Sequence, residues 1–249
     1  MITEVEHIID INADLGEGIG PDRDIMPMIS SCNIACGGHA GDMNSMRETV
    51  QLAMEYDVAV GAHPSFPDRD NFGRVILQMS REELTESIFD QILSFSALCE
   101  ELDTQLHHVK LHGALYNYAA RDVATSDAVI KALEMTGFRP ILYLPYNSVF
   151  HRKAENLFPL AFEAFIDRRY EHDGSLRSRQ HTDAVIHEPE IAWEQLERMV
   201  KQKEVMSVDG RVIPMEATTF CLHSDHPNAV DILNYIRNQM RSNGIFLNA

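Results

Sequence analysis

Hydrophobic and polar positions follow two rhythms along this chain. Seven short apolar runs stand out: IIDINA at 8–13, CNIAC at 32–36, VAVGA at 58–62, HHVKL at 107–111, PILYL at 140–144, LAFEAFI at 160–166 and TFCLH at 219–223. Each has strand length and a strand-like supply of β-branched or aromatic residues. Between most of them, apolar residues recur every three or four positions, the spacing of one helix face. The clearest case is 80–102, where Ser80 and Glu83 make a capping box and Leu84, Ile88, Ile92, Phe95, Leu98 and Leu102 line one side. A helix is predicted from Pro189, carrying Leu196, Met199 and Val200. Another is predicted from Pro227, with Val230, Leu233, Ile236 and Met240 inward and Gly244 just past its end. Residues 43–56 and 124–135 read as helices, and 147–157 carries a weaker helical pattern. VMSVDGRVIP at 205–214 reads as a hairpin around Asp209-Gly210.

Strands alternating with helices imply parallel βαβ units. Seven such units suit either an open doubly wound sheet or a closed β/α barrel. The runs are short and their ends polar, which favours a seven-stranded parallel β/α barrel whose mouth gathers residues from many strands. No GxGxxG follows the first run and no GxxxxGK[ST] occurs, so the sequence has neither a dinucleotide fingerprint nor a phosphate loop for ATP. With 249 residues, 45% of them hydrophobic, and no linker-like tract, one domain over 1–249 is expected. No uninterrupted apolar window reaches membrane-spanning length, and MITEVEHIID lacks the features of a signal peptide, so a cytoplasmic protein with no membrane partner is expected. Cys32, Cys36, Cys99 and Cys221 form no CxxC pair and read as buried thiols. The net charge of −17 repels phosphate backbones and argues against nucleic acid as a partner. It also draws attention to cations at strand ends, because an anionic ligand would have to be held locally against that field.

The strand ends carry the chemistry. In DINADLGEG, alternation puts Asp10, Asn12 and Asp14 on one face and Ile9, Ile11 and Ala13 on the other. If the apolar face meets helices, the polar face points into the barrel. The second run leads to His39 and Asp42 on a glycine-rich loop, the third to His63, Asp68 and Arg74. HVKLHG raises the sharpest question, because Lys110 and His112 share a face where an ordinary strand would turn to solvent. The fifth run offers only Tyr146 and Asn147. The sixth puts Glu163, Phe165 and Asp167 on one face, followed by Arg168 and Arg169, and the seventh gives His223 and Asp225. Asp42, Asp225 and Asn147 are equally at home as helix caps, and Asp68 beside Pro67 as a turn former. Charges inside predicted strands need a buried reason, which makes Asp14, Lys110, His112, Glu163 and Asp167 the catalytic candidates. Asn12, His39, His63, Arg74, Arg168 and His223 are the candidates for holding substrate.

Such a set suits hydrolysis: carboxylates activate water, histidine protonates a leaving group, and Lys or Arg holds an anion. There is no GxSxG elbow and no nucleophilic cysteine context, so water is the expected attacker. HExxH is absent too, although Asp14, His39 and His63 could together form a Zn²⁺ or Mn²⁺ site. With no compact ligand motif, and with Lys and Arg available to do a cation's work, activity is expected not to depend on a metal held here.

INADLGEGIG, NIACGGHAGD, GAHPSFPDRDNFGR, HVKLHGALYN, EAFIDRRY and LHSDHPNAV together resemble the LamB/YcsF family, in order, from about Ile8 onward. The resemblance implies a seven-stranded barrel like that of glycoside hydrolases and polysaccharide deacetylases. It implies ATP-driven opening of the 5-oxo-L-proline lactam to L-glutamate, as the A component of a bacterial 5-oxoprolinase beside two partners, B and C. ATP would then be activated with those partners. Under this reading Glu163 or Asp14 handles water, Lys110 and Arg168 hold the carboxylate or phosphate, and His112 gives a proton to nitrogen. Lys110→Met and His112→Ala are expected to lose activity while remaining folded. The chain departs from the family's usual pattern at Leu111, Asn71, Val75, Ser224 and His226, all flanking the mouth. The alternative is a stand-alone metal-dependent amide or N-acetyl-sugar hydrolase on the same barrel.

Overall fold

The computed structural model describes residues 6–248. All seven apolar runs are strands: β1 (His7–Leu15), β2 (Ser31–Ala35), β3 (Ala59–His63), β4 (His108–Lys110), β5 (Ile141–Leu144), β6 (Leu160–Phe165) and, after the predicted hairpin β7 (Glu204–Met206) and β8 (Val212–Pro214), β9 (Thr219–Cys221). The seven long-range strands pair in parallel in chain order, and β9 returns to β1 through Asp10↔Thr219, Ile11↔Phe220 and Asn12↔Cys221, closing the barrel. The hairpin is an antiparallel pair outside it. A strand not foreseen, β10 (Ile245–Leu247), adds in parallel to the start of β1. It is only three residues long, too short to show a period.

Alternation in β1 decides the layering. Ile9, Ile11, Ala13 and Leu15 are buried beneath the surrounding helices, while Asn12 and Asp14 are buried inside the barrel. The outer layer is α1 (Asp22–Ile25), α2 (Met43–Glu55), α3 (Arg81–Glu101), α4 (Gly113–Ala119), α5 (Val123–Thr136), α6 (Val149–Ala154), α7 (Pro189–Gln202) and α8 (Ala229–Met240). The capping box of α3 forms as expected: the Ser80 hydroxyl accepts from the Glu83 amide at 3.2 Å and the Glu83 carboxylate accepts from the Ser80 amide at 2.8 Å. Of its apolar face, Ile88, Ile92 and Phe95 are fully buried, and Leu102 at its end is partly buried. Helix α8 starts at Ala229 with Asn228 as N-cap, two residues beyond Pro227. The short helix α4 was not among the elements expected from the sequence. Gly113 has φ +51°, a left-handed turn that starts a helix directly off β4, and a Cβ there would lie 2.8 Å from the Gly73 carbonyl. The four cysteines are buried free thiols. Among the described residues no helix is long and apolar enough to cross a membrane.

Candidate active site

The barrel interior is polar from end to end, in stacked layers. At the N-terminal end, Asp10 accepts from Ser30 Oγ at 2.6 Å, Ser31 Oγ at 2.8 Å and Thr219 Oγ1. One layer up, Asn12 donates to Thr219 Oγ1 at 2.7 Å, and Asn33 donates to Asn12 Oδ1 at 2.7 Å. His108 Nε2 lies 2.8 Å from Asn33 Oδ1, with its ring stacked on Tyr143 at 4.0 Å. Gly61 on the neighbouring strand makes room for that ring, since a Cβ there would lie 2.2 Å from His108 Nε2.

Above this layer stands Lys110. Its ammonium lies 2.9 Å from Asp14 Oδ1, 2.9 Å from Glu163 Oε1, 3.2 Å from Asn12 Oδ1 and 2.9 Å from Cys221 Sγ. Burial alone would push the lysine pKa down. Asp14, Cys221 and Glu163 outweigh it and hold the lysine well above its ordinary range. Burial likewise pushes Asp14 up, but His63 and Lys110 bring its carboxyl well below the usual carboxylate range. One cation thus stands between two carboxylates, and all three side chains are buried. HVKLHG ends as it does because β4 aims Lys110 into the barrel to hold Asp14 and Glu163. This corrects one expectation. Removing the Lys110 charge would strand two buried carboxylates, so Lys110→Met should weaken the fold as well as the chemistry. Glu163 Oε2 and the Tyr116 hydroxyl, both buried, face each other and have no other partner within the chain. Burial and the nearby Glu163 charge push the Tyr116 phenol well up.

Beside Asp14 lies a histidine cluster. His63 Nε2 is 3.4 Å from Asp14 Oδ1 and 3.0 Å from His112 Nδ1. His112 Nδ1 is 3.4 Å from Glu17 Oε1, and His39 Nε2 is 2.9 Å from the same oxygen. His39 stacks face to face on His112 at 3.6 Å. Burial, with His63 next in weight, lowers His39 to about 3 and His112 well below its usual value. Burial and the Asp14 charge raise Glu17 to about 7. The third wall is Asp167, whose carboxylate meets His223 Nδ1 at 2.9 Å and the His223 amide at 3.2 Å. The His223 ring stacks on Phe165 at 5.4 Å, and a donor atom of His223 lies within 4.8 Å of Asp14 and Cys221 donors. Asp167 stays below its ordinary value: burial opposes this, but the neighbouring His223 prevails.

The structure thus brings together Asn12, Asp14, His39, His63, Lys110, His112, Glu163, Asp167 and His223. It leaves two expected residues out. Arg168 donates to the Arg177 carbonyl at 2.6 Å and to the Ala184 carbonyl at 3.4 Å, so its guanidinium ties down the loop after β6 rather than facing the site. Arg74 lies at the rim, paired with Asp225 at 2.6 Å, which also meets Arg179 at 3.3 Å. Asp225 is therefore a rim ion pair and not a helix cap. Asp42 is the N-cap of α2, accepting from the Asn44 and Ser45 amides, while Ser148 rather than Asn147 caps α6. Asp68 keeps its turn role through Asn71. Of the departures from the family pattern, Ser224 donates to the Asp14 carbonyl and His226 accepts from the Asn228 amide, so both serve the loop after β9.

Glu17, Asn33, His108, Tyr116 and Phe72 were not among the expected site residues. Glu17 follows Gly16, whose φ of +70° ends the strand alternation, and an acid set between two glycines was the available signal.

Comparison with known proteins adds to this geometry. A family model described as LamB/YcsF family matches residues 9–249. The 5-oxoprolinase A subunit of Bacillus cytotoxicus is 42% identical over 245 residues, covering 96% of this chain and 97% of that protein. That of Chloroflexus aggregans is 42% identical over 243 residues, covering 95% and 96%. The crystal structure of a lactam utilization protein from Thermus thermophilus superposes with a TM-score of 0.91 at 36% identity, covering 97% of this chain and 99% of that one. A GH18 chitinase from Pseudoalteromonas aurantia, at 8% identity and a TM-score of 0.50 over 92% of this chain and 99% of that one, shares the fold.

Proposed function

The chain belongs to the LamB/YcsF family, and from that premise we propose that it is the A component of a cytoplasmic 5-oxoprolinase, a hydrolase that opens the lactam of 5-oxo-L-proline to L-glutamate with hydrolysis of ATP. The observation that carries the reading is the near end-to-end match, at 42% identity, to proteins named for that component. The site supports it. A five-membered lactam is a stable amide, so its carbonyl needs activation and its nitrogen needs a proton before the ring opens. In this reading the lactam oxygen attacks the γ-phosphorus of ATP and ADP leaves. Water then adds at the activated carbon, the C–N bond breaks as nitrogen takes up a proton, and a second water releases phosphate from the resulting acyl phosphate.

The residues divide among these tasks. Glu163, whose Oε1 takes both Lys110 and Asn12 and leaves Oε2 clear of them, receives the proton of the attacking water. Lys110, its ammonium taken up by Asp14 and Glu163, keeps both carboxylates ionised and in position and supplies positive charge beside the oxygen on which negative charge develops. His223, oriented by Asp167 as a catalytic histidine is oriented by a carboxylate, gives the proton to nitrogen. This role moves from His112, both of whose ring nitrogens are engaged, at 3.0 Å to His63 and at 3.0 Å to the Phe72 carbonyl. At the rim, Arg74 and Arg179 rather than Arg168 are positioned to attract the substrate carboxylate. The chain carries no phosphate loop, so ATP is handled with the two partners, B and C. The test is glutamate release from 5-oxo-L-proline and ATP by the chain alone and by the chain purified with its partners. The expected result is turnover only by the assembly. ATP-independent hydrolysis of amides or N-acetyl sugars by the chain alone would support the stand-alone hydrolase instead.

A further inference from the structure

The histidine cluster beside Asp14 has hydrogen bonds that fix where its ring protons are. His63 Nδ1 lies 2.8 Å from the Lys110 carbonyl, and a carbonyl only accepts, so Nδ1 carries the proton. His112 Nε2 lies 3.0 Å from the Phe72 carbonyl and carries its proton for the same reason. In the neutral rings the remaining nitrogens, His63 Nε2 and His112 Nδ1, are bare lone pairs, and they point at each other across 3.0 Å. Two lone pairs at hydrogen-bond distance repel unless a proton or a metal cation sits between them. A ring N–H given to a backbone carbonyl is the outer-shell arrangement that orients a metal-ligating histidine.

The spacings fit a metal. Two donors on one tetrahedral cation, each at the ~2.0–2.1 Å of Zn–N and Zn–O bonds, sit about 3.3 Å apart. Here His63 Nε2 to His112 Nδ1 is 3.0 Å and His112 Nδ1 to Glu17 Oε1 is 3.4 Å, while His39 Nε2, 2.9 Å from Glu17 Oε1, belongs to a ring stacked parallel to His112 and braces the carboxylate. One donor atom from each of Glu17, His39, His63 and His112 lies within 4.8 Å of all the others, and all four residues are buried. The backbone is bent to make this possible. Phe72, a bulky residue, holds a left-handed φ of +53° so that its carbonyl reaches His112, and at Gly73 a Cβ would lie 2.9 Å from both His112 and His39.

We propose that Glu17, His63 and His112 form a binding site for one divalent transition-metal ion of the Zn²⁺ class, with two imidazoles and one carboxylate as ligands, while His39, stacked parallel to His112, holds Glu17 in place. Such an ion would act as a Lewis acid when bound. Asp14, 3.4 Å from His63 Nε2, stands between this site and Lys110. The expectation from sequence, that activity is independent of a metal held here, and this proposal make opposite predictions for one measurement.

The test uses the full chain without partners or ATP, so its outcome is independent of the lactam reading. Chelator-treated protein is titrated with Co²⁺, and separately with Zn²⁺, followed by elemental analysis and calorimetry. One saturable ion per chain, visible Co²⁺ bands of low-symmetry four- or five-coordinate intensity, and protons released on binding are expected. In the Co²⁺ form, strongly shifted exchangeable proton resonances are expected from the two ring N–H groups held by the Lys110 and Phe72 carbonyls. That signal needs no variant and stands if His63→Gln fails to fold. If the variants fold, Glu17→Gln and His63→Gln should each weaken binding at least 10-fold, while His172→Gln, on the loop after β6, should not. No stoichiometric ion, or binding that survives both substitutions, would overturn the proposal. So would imidazole resonances showing one proton shared between His63 and His112 with no metal taken up.

Discussion

The two ends of the barrel interior are equally polar and behave differently. Toward the N-terminal end, Asp10, Asn12, Ser31, Asn33, His108 and Thr219 form a network of short hydrogen bonds in which every buried side-chain polar atom finds a partner. Toward the C-terminal end, His39 Nδ1 and Asp68 Oδ2 are buried without one, and Glu163 Oε2 and the Tyr116 hydroxyl have only each other. Fully satisfied polar networks specify a fold, and buried groups left unpaired weaken it. The lower half is thus built for stability. The upper half keeps hydrogen-bonding capacity in reserve, as a site that must accept a ligand does.

The largest expected effect breaks the upper half at its centre. Lys110→Met should lower turnover of the assembled complex on the order of 10²-fold or more. It should also destabilise the chain by about 3–5 kcal/mol, because Asp14 and Glu163 lose their shared cation. Glu163→Gln separates the two consequences, since a Gln oxygen can still accept from Lys110 and Asn12. Its turnover should fall as far while its melting temperature stays near that of the parent. If Glu163→Gln turns over normally, the water-activating role belongs elsewhere.

Next in size is Asp167→Asn. The amide can offer His223 a donor where the carboxylate offered only acceptors, which invites the wrong ring tautomer. A fall on the order of 10²-fold in kcat, with unchanged melting temperature, is expected from loss of a positioned proton donor. A variant that also loses melting temperature would make Asp167 a structural residue of the loop after β6.

A smaller and opposite effect is expected in the lower half. In Gly61→Ala the new methyl meets His108 at 2.2 Å, so the His108–Asn33–Asn12 network has to shift. Overpacking of this kind costs about 1–3 kcal/mol. Denaturant midpoints should drop, while turnover per folded molecule should stay within a few-fold. A variant with parental stability and lost turnover would reverse the assignment of the two halves.

This division was partly legible in the sequence. Period-2 alternation gave the inward faces of β1, β4 and β6, and so found Asn12, Asp14, Lys110 and Glu163. Alternation orders side chains only within the strands. Glu17 lies past the left-handed Gly16, and Phe72 contributes through a backbone carbonyl, which no residue type announces. Arg168 follows the end of β6, where nothing fixes side-chain direction, and its guanidinium folds onto loop carbonyls instead of into the mouth. His108 and Asn33 sit inside apolar-looking runs, and only barrel closure shows that their polar atoms meet across strands. The resemblance to a family supplied the expected activity, while the proton states that point to a metal came from hydrogen-bond geometry alone.

The smallest expected effect lies at the rim. Arg74 from the loop after β3 and Arg179 from the loop after β6 both meet Asp225 from the loop after β9, so one carboxylate ties three loops over the mouth. Burial would raise the Asp225 pKa, yet Arg179, His223 and Arg74 keep it below its ordinary value. Partly exposed ion pairs contribute only about 0–1 kcal/mol, so Asp225→Asn should barely move the melting temperature. Its effect should fall on substrate capture. With the carboxylate gone, two arginines are no longer neutralised, and in a protein of net charge −17 they become a local attraction for an anionic lactam. KM for 5-oxo-L-proline in the assembled complex should fall by roughly 2–5-fold at low salt, about what one screened charge is worth near a surface. The difference from the parent should vanish as ionic strength shortens the range of the charges. An unchanged KM, or a change that salt does not touch, would remove Arg74 and Arg179 from substrate capture and leave the rim pair a tether between loops.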